Sequence, residues 1–174
     1  MTDTENLSAD SKKPKRSTYE RALDMLEARA RAVTELRRLL IKKGEPVADV
    51  DAAIARLREA GLLDDANFAR QLTRSKAIGG GHSRRRVQQE LAKRGVARDV
   101  SDEAISEVFE EEEFDEAASI ERVARKKLRT LGSVDSATRK RRLYGFLARR
   151  GFDADEIQRT LAVVLQGSAS EEPD

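Results

Sequence analysis

Leu91-Ala92-Lys93-Arg94-Gly95 is the stretch that decides the fold, because its pattern occurs three times. Leu, any residue, two bases and Gly stand again at Leu40-Ile41-Lys42-Lys43-Gly44 and at Leu147-Ala148-Arg149-Arg150-Gly151. The glycines lie 51 residues apart (44 to 95) and then 56 (95 to 151). Aligned on them, other apolar positions fall into register. Eight residues earlier stand Leu36, Val87 and Leu143, ten later Ile54, Ile105 and Leu161, and thirteen later Leu57, Val108 and Val164. Self-similarity at about 50 residues is the mark of a supersecondary unit repeated along the chain.

Each glycine has a physical task. A helix commonly stops at a residue in the left-handed conformation, which Gly adopts cheaply, and bases just before it complement the carbonyl end of the helix dipole. Gly44, Gly95 and Gly151 are therefore read as helix stops. A further helix starts near Val47, Arg98 or Ala154. An earlier one is marked by Ala22-Leu23-x-x-Leu26, by Phe68-Ala69-x-x-Leu72, and by Ala117-Ala118 with Val123 and Leu128. Apolar spacing is helical nearly throughout, and no convincing period-2 strand appears.

The fold class expected is all-α: three tandem three-helix repeats over residues 19–62, 63–111 and 112–165. A basic arm (1–18) and an acidic tail (166–174), both read as disordered, flank them. A unit of this size buries little apolar surface alone. Stacking side by side into an elongated, curved array is the expected remedy, with packing into one globule as the alternative.

Composition agrees and excludes several function classes. Charged residues make up 38% of the 174 and aromatics 4%, with no Trp, so the core is drawn from Leu, Val, Ile and Ala, a helix-favouring palette. The absence of Cys rules out disulfides, thiolate metal sites and a cysteine nucleophile, and fits a reducing compartment. Acids follow Met1 where a signal peptide needs bases, and no run approaches the roughly 18 apolar residues of a membrane span. A cytoplasmic protein without membrane contact is expected. Net charge is only +2, from 34 bases and 32 acids, so the distribution of charge matters more than its sum.

Several groups invite a chemical reading. Asp64-Asp65 is a carboxylate pair able in principle to hold Mg²⁺, but it precedes a helix and suits an N-cap better. Gly79-Gly80-Gly81-His82 lacks the Lys-Ser/Thr of a phosphate loop and reads as a mobile link between helices. His82, the only histidine, has no Cys, Ser or Asp motif to act with. Glu110 to Glu113 reads as a solvated helix end. Tyr19, Phe68, Phe146 and Phe152 sit beside apolar positions and read as core, and Gly145, inside a helix, as a mark of close helix packing. No catalytic residue, metal site or cofactor is assigned.

The basic clusters differ because they recur on the second helix of each unit. Arg37, Arg38, Lys42 and Lys43 are followed by Arg84, Arg85, Arg86, Lys93 and Arg94. In the last unit come Arg139, Lys140, Arg141, Arg142, Arg149 and Arg150. Units stacked in one orientation line such bases into a stripe suited to phosphates or to an acidic protein groove. Arg84 to Arg86 and Arg139 to Arg142 point most to function, since they lie near helix starts, where the dipole disfavours positive charge.

Taken together these residues resemble the RecX family. Tyr19-x-x-Ala22-Leu23-x-x-Leu26-x-x-Arg29, then Glu35-Leu36 and Lys43-Gly44, looks like that family's opening. Leu63-Asp64-Asp65-x-x-Phe68-Ala69, with Gly81, Arg85 and Leu91 before Lys93-Arg94-Gly95-Val96, looks like its central signature. Arg139-Lys140, Leu147-x-Arg149-Arg150-Gly151-Phe152 and Ile157 look like its close. Ala32 stands where the family often has Ser. The resemblance implies a regulator that lies along the RecA filament on single-stranded DNA and inhibits its ATPase, strand-exchange and coprotease activities. On that reading the chain is a non-enzymatic monomer, and the clusters from Arg84 to Arg150 contact RecA or DNA. A module that binds DNA directly, without a recombinase, is the alternative.

Overall fold

The computed structural model describes residues 16–169. The expected basic arm up to Lys15 and the tail beyond Ala169 lie outside the described residues. Among the described residues there are nine α-helices and no strand. They are α1 (Thr18–Ala28), α2 (Val33–Lys42), α3 (Val47–Glu59), α4 (Asp65–Thr73), α5 (Arg84–Arg94), α6 (Arg98–Glu111), α7 (Glu116–Arg129), α8 (Ser136–Arg149) and α9 (Ala154–Ala169). A π-helical turn, Arg74–Gly79, prolongs α4. Each unit is one consecutive trio of α-helices.

Local chemistry explains the boundaries. Ser17 and Glu20 close a capping box on α1, while the carboxylates of Asp64, Asp115 and Asp135 cap α4, α7 and α8, each cap being worth about 1 kcal/mol. Gly44, Gly95 and Gly151 all take positive φ, +85°, +81° and +93°. The N–H after the glycine then bonds back to the motif's own leucine: Glu45 to the Leu40 carbonyl and Val96 to the Leu91 carbonyl, both at 3.2 Å. That return bond explains why Leu stands four residues before Gly.

The apolar positions in register across the repeat are all buried, from Leu36, Val87 and Leu143 to Leu57, Val108 and Val164. They form three separate clusters, one inside each unit, and not one continuous core. Ala32, from the first unit, packs in the second unit's cluster, and Leu63, just before α4, packs in the first.

What joins the units is a repeated polar contact. The first N–H of the middle helix in the first two units is accepted by an acid at the first position of the next unit: Val33 N–H by Asp65 at 2.8 Å, and Arg84 N–H by Glu116 at 2.9 Å. The second side chain of that helix donates to the carbonyl of the next unit's stop glycine. Thr34 reaches Gly95 O at 3.0 Å and Arg85 reaches Gly151 O at 2.9 Å. The approach is close enough that a Cβ on Gly95 would lie 2.5 Å from Thr34 Cβ, and one on Gly151 2.5 Å from Arg86 Cβ. A Cβ on Gly44 meets nothing within 4 Å. These inter-unit ties all join neighbours, so the units form a row.

Three expectations need correction. The tail does not begin at 166, because α9 runs to Ala169; Leu165 still packs on the third unit's core, and extending a formed helix costs little. Gly79 to Gly81 is not a free link. Gly79 ends the π-helical turn, and Gly81 (φ +60°) is so close to the third unit that a Cβ would lie 2.4 Å from Val123 Cγ1. Gly145 marks no helix crossing, since a Cβ there would meet only the Arg149 guanidinium, at 3.4 Å.

Alanine at Gly44 should strain only the left-handed backbone, costing about 1–2 kcal/mol. Gly95→Ala and Gly151→Ala add the overlap with the neighbouring unit and should cost at least twice as much, read from urea unfolding followed by circular dichroism. Equal losses at the three sites would overturn the junction described here.

Candidate functional site

The structure divides the expected contact residues into two sets. Arg85, Arg86, Arg94 and Arg150 belong largely to the joints. Arg85 spends its guanidinium on the carbonyls of Gly151 and Phe152, at 2.9 and 3.2 Å. Arg94 pairs with Glu35 at 3.1 Å across the first joint, and Arg86 with Glu90 at 3.4 Å within α5. Arg150 donates to Gly80 O at 3.2 Å and lies 4.0 Å over the Phe146 ring. Arg84 also has local partners, Ser106 at 3.3 Å and the Phe109 ring at 4.7 Å.

The second set faces solvent. Lys93, Lys140, Arg141, Arg142 and Arg149 are exposed, and none is in an ion pair among the described residues. Arg139 is half-buried and reaches only the Val134 carbonyl, at 3.3 Å. Four of the five exposed cations lie on α8. Gly145 leaves room for the Arg149 side chain to run back along that helix toward Arg142.

Helix α7 adds bases that the repeat motif did not single out: Arg122, Arg125, Lys126, Lys127 and Arg129. Arg125 alone of these is ion-paired, with Glu121 at 2.8 Å, while Lys127 sits 5.7 Å from the Phe146 ring on α8 and so brings the two helices' cations together. Between Glu116 and Arg150 there are eleven bases and three acids. One acid, Glu116, is turned to the joint and another, Asp135, caps α8. The cluster Arg125 to Lys127 was visible in the sequence, but the recurrence of bases around the stop glycines put no expected contact residue on α7.

The remaining chemical candidates resolve into structural parts. Asp64 caps α4 through Ala66 and Asn67 N–H, and Asp65 makes the first joint. Glu111 and Glu112 pair with Arg74 of the π-helical turn. Phe68 and Phe152 are buried, whereas Tyr19 and Phe146 are half-buried under guanidinium groups, each at 4.0 Å. Among the described residues no group of three or more His, Asp or Glu could hold a metal ion, and no helix is long and apolar enough to cross a membrane.

Comparison with known proteins fits this row of units. Family models described as the first, second and third three-helix domains of RecX match residues 19–57, 64–105 and 115–161. This chain belongs to the RecX family. A regulatory protein RecX of Pelodictyon phaeoclathratiforme is 37% identical over 165 residues, covering 94% of this chain and 98% of that protein. One from Amycolatopsis mediterranei is 38% identical, with 80% of each covered. The fold matches crystal structures of RecX from Lactobacillus salivarius (TM-score 0.64, 17% identity, 84% and 94% covered) and of a further regulatory protein RecX (0.66, 21%, 82% and 70%). Family members carry the name of regulatory proteins, and a regulatory role is theirs in common with this chain.

His82, Glu35 and Glu116 titrate at the joints. Burial pushes the His82 imidazole below its usual value, and Arg150, Lys76 and Arg86 act in the same direction. Burial alone would raise the Glu35 carboxyl, but Arg29 and Arg94 hold it below the usual carboxylate range. His82 and Glu35 bind protons less readily folded than unfolded, so stability falls on acidification, first through His82 below about pH 6.5 and then through Glu35 below about 4.5. Glu116, raised chiefly by burial, opposes this near its own range. Unfolding midpoints measured from pH 7 to 5 should therefore decline in the wild type and decline less in His82→Gln; parallel profiles would remove His82 from the account.

Proposed function

We propose that this chain is a non-enzymatic regulator of recombination and DNA repair that binds the RecA filament on single-stranded DNA. It acts in the cytoplasm as a monomer and inhibits the filament's ATPase, strand-exchange and coprotease activities. The observation that carries the proposal is the cation-rich face of α7 and α8 at one end of a row of units whose relatives are regulatory proteins. An elongated row suits lengthwise contact with a polymer, and unpaired bases suit phosphates, whose neutralisation releases counterions. Inhibition follows from preferential binding to particular filament states, which shifts assembly and nucleotide turnover without chemistry by this chain.

Within this reading Lys140, Arg141, Arg142 and Arg149 make salt-sensitive contact with filament DNA, joined by Lys126 and Arg129 of α7. Arg85, Arg86, Arg94 and Arg150 contribute by holding the row together, and Lys93 and Arg84 remain contact residues on the middle unit. The same cationic face supports a second reading, a module that binds DNA directly with no recombinase.

The test is titration of this protein into the DNA-dependent ATPase of the same organism's RecA, with binding to bare single-stranded DNA measured in the same buffer. Inhibition is expected well below the concentration that saturates bare DNA. The Arg141→Glu/Arg142→Glu protein should inhibit at least about tenfold less well, and its log–log salt slope should be shallower by about 1–2. Tight binding to bare DNA without inhibition would favour the second reading.

A further inference from the structure

The two joints follow one plan but differ in what stands at their centre. At the first, the carboxylate of Glu35, third residue of α2, is surrounded by guanidinium groups: it pairs with Arg29, with Arg31 at 3.2 Å and with Arg94 at 3.1 Å. The register of the repeat fixes the counterparts at the second joint. Glu35 becomes Arg86 and Arg31 becomes His82, each 51 residues on, and Arg94 becomes Arg150, 56 residues on. Arg86 is seated there as closely as the joint allows, its Cβ 2.5 Å from where a Cβ on Gly151 would lie. A base that meets a carboxylate at the first joint therefore meets a second guanidinium at the other.

Both guanidinium groups are short of acceptors. Arg86 pairs with Glu90 at 3.4 Å through one Nη, while its Nε is buried with no hydrogen-bond partner. Arg150 gives its Nε to the Gly80 carbonyl and is in no ion pair among the described residues; burial and the neighbouring Arg149 both disfavour its charge. Arg150, Lys76 of the π-helical turn and Arg86 all face His82, and Glu90 is the one acid that does. From α7 comes a further base, Arg122, which donates to the Ser119 hydroxyl beside Gly81. Like charges gathered at a part-buried place repel more strongly than in bulk water, and an anion among them removes that repulsion. The cluster borders solvent, since the Arg86 side chain is 33% exposed and Lys76 and Arg150 are half-buried.

We infer that the second joint is a phosphate seat, in which Lys76, Arg86, Arg150 and His82 hold a backbone phosphate of single-stranded DNA where the first joint holds its own carboxylate. Guanidinium forks match the oxygens of a phosphate as they match those of a carboxylate. The seat adjoins the cationic face of the third unit: Lys127 of α7 lies 5.7 Å from the Phe146 ring that Arg150 covers at 4.0 Å, so a strand bound along α7 and α8 passes onto the joint. The identity of the polymer rests on the proposed function, and the anion chemistry rests on the joint itself. DNA so placed ties the second unit to the third, which gives Arg86 and Arg150 a task beyond holding the row together.

His82 is the only histidine in the chain, so its imidazole resonances report on the seat directly. The full-length protein is titrated with acid in the NMR spectrometer, alone and with saturating oligothymidylate, at constant ionic strength. Alone, His82 should titrate below its usual 6.5. With the oligonucleotide its midpoint should rise by about 1 pH unit, as an anion set against an imidazolium requires. Arg86→Glu puts the first joint's carboxylate back: it should lift the midpoint without DNA, abolish the further rise on adding DNA, and weaken oligothymidylate binding about tenfold. Arg58→Glu, the same change of charge at an exposed position of α3, should keep the rise. Circular dichroism checks that both variants fold. Inorganic phosphate should reproduce the rise only at far higher concentration; equal potency would assign the seat to free phosphate and overturn its assignment to DNA. A midpoint above 6.5 in the free protein, one that DNA does not move, or a DNA-induced rise that survives Arg86→Glu would overturn the inference alone. Failure of the wild type to inhibit the RecA ATPase, with the His82 response intact, would overturn the proposed function and leave the seat standing.

Discussion

Everything in this structure depends on the close seating of a helix start against the left-handed glycine of the next unit. The contact works because one atom is missing: with a Cβ at Gly95 or Gly151, the neighbouring backbone could not come near enough for the donor to reach the glycine carbonyl. One glycine therefore ends a helix and receives a helix start from the preceding unit. A residue chosen only to stop a helix could be Asn; the approach of Thr34 or Arg86 leaves Gly alone.

The energetics of the row follow from where the apolar surface lies. Each unit keeps its own cluster of leucines, valines and isoleucines, and the joints are made of hydrogen bonds, small side chains and the ion pair between Arg94 and Glu35. Part-buried polar ties are modest in net stability but exacting in geometry. They set how the units face one another more than they set how strongly each unit folds. Arginines at the joints are consequently structural, although on sequence alone they look the same as those facing solvent.

Much of the fold was legible because the repeat is strict where physics is strict. The stop glycines, the leucine four residues before each, and the apolar positions eight before, ten after and thirteen after are all fixed by one-chain helix geometry and by burial. The end of α9 and the seating of Gly81 were not legible, since the first depends on Leu165 finding the core and the second on Val123 arriving from another unit. The surroundings of the expected contact residues were only partly legible. Base clusters show where positive charge is, but whether Arg85 meets solvent or the Gly151 carbonyl is decided 66 residues away. The α7 bases lay outside the repeat pattern and needed the local balance of charge to be seen.

The joint also has a sense of direction. In each, the start of the earlier unit's middle helix donates to the later unit, while an arginine of the later unit, Arg94 or Arg150, donates back to Glu35 or Gly80, so the two sides of a joint are unlike and the row's two ends cannot be exchanged by any rotation. Objects of this kind have no internal symmetry to match a twofold partner, and they lie along a polar polymer in one sense only. Set against any polymer whose subunits all point the same way, the row and its reverse present different surfaces.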